Sequence, residues 1–223
     1  MNLIGIIFLL VSVAIGSILK SRLNTYAKTR LLANWSGAEV AAKMLREYKI
    51  EHVKITCTRG HLTDHYNPLT KTVNLSNQVY YGKNAAAAAI AAHECGHAVQ
   101  HAQGYAFLRF RSAMVPVLSA TTRFMPWAII LGISLIHTTL IPLTVGIALF
   151  ALTTLFSFIT LPVEFDASRR ALAWMDNQGV VTSQEHQMAK NALWWAAMTY
   201  VVAALGALAQ LLHLINMLGS RKK

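Results

Sequence analysis

The sequence predicts a mainly α-helical membrane protein that carries one small α+β polar domain. Three observations lead there. The 223 residues are 55% hydrophobic and only 13% charged, with a mean hydropathy of +0.42, which lies outside the range of ordinary soluble domains. The apolar residues are gathered into runs long enough to cross a hydrocarbon core of ~30 Å. Between the first run and the later ones, residues 20–113 are polar, and fourteen of the 20 Lys and Arg fall in residues 20–123. Two Cys cannot make a disulfide framework.

Residues 1–19 form the first membrane helix: LIGIIFLLVSVAIGSIL at 3–19 is followed, not preceded, by Lys20, Arg22, Lys28 and Arg30. A secretory signal peptide has the reverse order of charge. The positive-inside rule then places residue 20 onward in the cytoplasm, and the expected location is the plasma (inner) membrane, crossed by several passes. The net charge of +11 therefore records topology. The basic residues are scattered, without the concentrated patch that nucleic acid requires, so no nucleic-acid partner is expected.

Residues 20–113 form the cytoplasmic domain. Ser36 and Glu39 have the spacing of a capping box, opening a helix over Ser36–Tyr48. HVKITCT, HLTDHY, NPLTK and TVNLS follow, short strand-like runs with a turn at Asn67-Pro68, read as a hairpin or small meander. A second helix, Asn84–His101, begins with five Ala at 85–89 that let a neighbour approach closely. Residues 114–163 read as a membrane hairpin turning at 137–140, residues 164–190 as a segment that opens on a polar interfacial helix over Glu164–Asn177, and residues 191–223 as a last membrane segment whose apolar helix, Ala192–Leu218, ends in an Arg221-Lys222-Lys223 tail. That tail sits outside if the helix spans and inside if it does not, so three and four spans are both admissible.

The second helix contains His93-Glu94-Cys95-Gly96-His97, the H-E-x-x-H pattern. Residues four apart share a helical face, so both imidazoles can approach one tetrahedral zinc ion. Glu94 is free of ligation and can act as general base on a metal-bound water, then as proton donor. Gly96 between the ligands weakens the helix, which suggests close approach of another backbone. A catalytic site needs a third protein ligand. His101 extends the same face, but three donors in line along one helix cannot converge, which leaves it an outer-shell candidate. Glu164, an acid directly after an apolar run, is the better candidate, its competing reading being a charge at a helix start. Thr63–Tyr66 reads either as a strand facing the cleft, with His65 or Tyr66 stabilising the oxyanion, or as a hairpin held by Asp64 and Asn67.

The order SGAEVA (36–41), LTDHYNP (62–68), VNLS (73–76), AAHECGHAVQHA (91–102) and LPVEFDASRRA (161–171) resembles the YugP-type family of neutral membrane zinc metallopeptidases over nearly the whole chain. The resemblance implies a zincin-like, gluzincin-type cytoplasmic domain holding one zinc per chain. His93 and His97 would be ligands, Glu164 the third ligand and Glu94 the catalytic residue. The HtpX and CAAX-prenyl-protease relatives carry an Asp four residues after the third ligand. Here that position is Ser168, and the nearby acid is Asp166 at i+2, which points off the ligand face. Asp166 is thus an inter-element contact or an outer-shell candidate. The expected function is a zinc endopeptidase acting on peptide bonds of membrane or membrane-proximal proteins, its active site on the cytoplasmic side. The bilayer is its medium, and any regulatory membrane partner is unspecified. The alternative is a non-catalytic membrane scaffold with a structural metal, which would need a closed, four-ligand site.

Overall fold

The structure is a computed structural model that describes residues 3–220, so the basic tail at 221–223 lies outside the described residues. The first helix, α1 (Leu3–Tyr26), runs seven residues beyond the predicted apolar run, and the Tyr26 hydroxyl donates to Asn191 Oδ1 at 2.8 Å. The second, α2 (Gly37–Glu47), opens on the predicted capping box: the Ser36 N–H donates to Glu39 Oε2 at 2.7 Å, and the Glu39 N–H donates back to Ser36 Oγ at 3.3 Å. Its buried stripe is Val40, Ala41, Met44 and Leu45, at helical spacing.

Three short strands follow: β1 (Lys54–Thr58), β2 (His65–Asn67) and β3 (Thr72–Ser76), in the sheet order β1-β3-β2. β2 and β3 make the expected hairpin, antiparallel with His65 opposite Asn74, and Asn67 Oδ1 holds its turn by accepting from the N–H groups of Leu69 and Thr70. The meander expectation is corrected, because β1 pairs parallel to β3. β3 supplies the fully buried Val73 and Leu75, so it takes the centre, whereas the three residues of β2 suffice only for an edge. The return from β1 to β2 passes through Gly60 (φ +115°) and Leu62 (φ +57°), and it is tied down where Asp64 accepts from the Ser76 N–H at 2.7 Å.

After the short α3 (Asn77–Tyr80) come α4 (Ala85–Ala102), α5 (Ala106–Ser134), α6 (Ile141–Asn177) and α7 (Ser183–Gly219). Four helices, α1, α5, α6 and α7, are long and apolar enough to cross a membrane. The helix expected over Glu164–Asn177 is present but not separate: it continues α6 without a break through Pro162. A proline removes one backbone hydrogen bond, a loss that long apolar helices tolerate. α7 starts nine residues before the expected Ala192, on a second capping box in which the Glu185 N–H donates to Thr182 Oγ1 and the Thr182 N–H donates to Glu185 Oε2.

The chain divides into two compact units. One takes Phe110–Leu161 with the chain ends up to Val13 and from Thr199. In it α5 and α6 touch through glycines: a Cβ at Gly132 would lie 2.3 Å from the Leu143 nitrogen, and one at Gly146 would lie 2.7 Å from Ile129 Cγ1. The other unit is Ala14–Arg109 with Pro162–Met198. Its core joins Leu31, Met44, Leu45, Val73, Leu75 and Val99 to Ala171, Trp174, Met175 and Leu193.

Candidate metal centre

The second unit builds its polar site on α4. Asn84 caps that helix by accepting from the Ala87 N–H at 2.9 Å, and Ala85–Ala89 are all buried. Small side chains there let α2 and α4 pack closely, and the Cys95 thiol lies 3.7 Å from the Ala41 carbonyl. Burial pushes the Cys95 thiol well up, so it stays protonated, a packing group facing away from the ligand side.

His93 and His97 stand one helical turn apart with ring centroids 4.8 Å from each other. Glu164 comes to them from α6, which approaches α4 at Gly96: a Cβ there would fall 2.6 Å from the Ala167 carbonyl oxygen. No other residue fits, and that explains a glycine between the two histidines. Glu164 Oε2 lies 3.3 Å from His93 Nε2 and 3.6 Å from His97 Nε2. One donor atom from each of the three residues falls within 4.8 Å of the others. A tetrahedral shell with ligand bonds of ~2.0–2.1 Å has edges of ~3.3 Å between donors, which the two histidine–carboxylate separations match, so the donor set can hold a zinc ion. The remaining ring nitrogens are engaged elsewhere: His93 Nδ1 is 3.1 Å from Ser168 Oγ and His97 Nδ1 is 3.1 Å from Gln100 Oε1. Both imidazoles therefore turn Nε2 toward the carboxylate.

Glu94 is buried beside this cluster, and the backbone N–H of Tyr66 donates to it. Burial pushes its carboxyl up to about 7; His93 opposes that shift, while Glu164 and Asp64 add to it. A carboxyl in that range can both take and return a proton near neutrality.

The structure separates the two oxyanion candidates. Tyr66 sits opposite the buried Val73 and reaches α4, its hydroxyl 2.7 Å from His101 Nδ1. His65, the next residue along the strand, points to the other face, where its ring meets the Thr63 carbonyl at 2.8 Å and Asn74 Nδ2 at 3.2 Å. His101 is therefore occupied by Tyr66 and stands outside the three-donor group. Asp64 and Asn67 hold the hairpin. Asp166 is buried in the middle of α6, bonded by Arg169, Arg170 and the Gln100 amide.

Sequence reasoning missed Gln100, and it noted Ser168 only as a departure from the relatives without seeing that it meets His93. Neither residue type is a common zinc ligand, but spacing held the signal: Gln100 is three residues after its partner His97, and Ser168 is four after Glu164, on the helical face that meets His93.

Residues 1–219 match the family model described as "Putative neutral zinc metallopeptidase". The chain is 38% identical over 196 residues, 88% of its length and 86% of the relative's, to the "Putative membrane protease YugP" of Bacillus subtilis (strain 168). No solved structure matches the chain.

Proposed function

The chain belongs to the neutral zinc metallopeptidase family, and on that premise we propose that it is a membrane-embedded zinc endopeptidase whose metal is held by His93, His97 and Glu164. The observation that carries this reading is the convergence of two Nε2 atoms from α4 and one carboxylate oxygen from α6. Zinc bound there would supply a Lewis acid that polarises the scissile carbonyl and acidifies water. Glu94 takes the proton from the attacking water and returns it to the amine that leaves. We assign the developing oxyanion to Tyr66, whose hydroxyl turns toward α4 and can accept from His101 while it donates, in preference to His65 on the far face of the sheet.

Residues 20–113 would form a zincin-like domain on the cytoplasmic side of the plasma membrane, supported by the concentration of Lys and Arg in residues 20–123. Substrates would be membrane proteins or proteins held near the bilayer. The scaffold alternative is disfavoured by the donor set. Among the described residues the group holds three donors, which leaves one tetrahedral position for water, whereas structural zinc sites close with four protein ligands.

The test is hydrolysis of a quenched peptide and of a detergent-solubilised membrane protein by the purified full-length chain. Cleavage should disappear with a zinc chelator and return on adding zinc. Metal-bound protein with no hydrolysis of either substrate would favour the scaffold.

A further inference from the structure

The two histidines differ in what holds them. Gln100 is fully buried on α4. Its Nε2 donates to the Val163 carbonyl at 2.8 Å and to Asp166 Oδ2 at 2.9 Å. A backbone carbonyl and a carboxylate can only accept, so the orientation of this amide is set by its partners. Its Oε1 must then face His97 Nδ1, at 3.1 Å, and can only accept there. A neutral His97, the form that can ligate a metal, is thereby held as the tautomer with its proton on Nδ1 and its lone pair on Nε2, directed at Glu164. A lone pair aimed at a carboxylate oxygen 3.6 Å away is repulsive until a cation lies between them.

The same amide does a second task. Val163 directly precedes Glu164, so the bond to its carbonyl ties the third-ligand segment of α6 to α4 one residue from the donor. Asp166 is fixed in turn by Arg169 and Arg170, and Arg170 Nη1 donates to Gln103 Oε1 at 2.6 Å, back on the α4 side. This chain accounts for Asp166: two positions from Glu164, it leaves the ligand face and acts through Gln100. His93 has no such restraint, because the Ser168 hydroxyl can either donate or accept.

Resting on the metallopeptidase reading, we propose that Gln100 is a positioning residue for the metal. It selects the ligating tautomer of His97 and holds Glu164 within reach, while Asp166 keeps the Gln100 amide from flipping.

The experiment measures zinc affinity of detergent-purified full-length protein by competition with a chromogenic chelator, with the melting temperature of the metal-free protein recorded beside it. Gln100→Leu keeps the volume and removes the amide; it should weaken zinc binding by ~10–100-fold, the usual effect of losing an outer-shell partner. Gln100→Glu keeps an acceptor for His97 but sets a carboxylate against Asp166, so it should weaken zinc as well. The double variant Gln100→Glu/Asp166→Asn restores a donor opposite an acceptor and should bind zinc more tightly than Gln100→Glu alone. A merely structural glutamine would give no such rescue. Wild-type affinity in Gln100→Leu, or a double variant no tighter than Gln100→Glu, would overturn the proposal while leaving the three-ligand site intact. A wild-type protein that fails to bind zinc would overturn the metallopeptidase reading and this proposal with it.

Discussion

Glu94→Gln should lower the rate of peptide hydrolysis by roughly 10²–10⁴-fold, the usual range for a lost general acid–base, with zinc content unchanged. The substitution preserves shape, and glutamine Oε1 can still accept from the Tyr66 backbone N–H that meets Glu94. What it removes is the capacity to take and return a proton at a buried position whose carboxyl is raised to about 7. His93 and His97 keep their partners in Ser168 and Gln100, so the metal site has no reason to change. Paired measurements of turnover and zinc-to-protein ratio check this. Wild-type turnover in the variant would remove Glu94 from the mechanism.

Glu164→Ala should empty the site. Alanine leaves two imidazoles on adjacent turns of α4 and no donor from α6, and two ligands do not hold zinc against dilution. The loss should exceed the ~10–100-fold expected of an outer-shell partner such as Gln100. Folding should survive, because the core of this unit is built from Leu31, Met44, Leu45, Leu75 and Met175 and does not include Glu164. Asp166→Ala should cost less zinc than Glu164→Ala, since Asp166 reaches the ligands only through Gln100. Metal analysis after gel filtration reads both. Full zinc occupancy in Glu164→Ala would place the third ligand elsewhere, with His101 the first position to test.

Local rules made much of this legible. Ser36 with Glu39, Asn67 at its turn and the four-residue spacing of His93 and His97 each depend on neighbours in sequence, and each appears in the structure as read. The capping box at Thr182–Glu185 obeyed the same rule and was overlooked only because the apolar run beginning ten residues later drew the boundary. Strand order was not legible, because the parallel pairing of β1 with β3 depends on which strand fills the core and not on any turn signal. Nor was the restraint on His97. Gln100 matters through Val163 and Asp166, more than 60 residues away along the chain, and a glutamine carries no chemical signature until those acceptors surround it. Asp166 leaves the Glu164 face, as helical geometry requires, yet joins the site through a residue on another helix.

The most direct test of the account is zinc X-ray absorption on the purified full-length protein. Three protein donors from His93, His97 and Glu164 predict a first shell of only nitrogen and oxygen at ~2.0–2.1 Å, with imidazole scattering from two histidines. A sulfur shell at ~2.3 Å would instead place a cysteine on the metal and contradict the assignment.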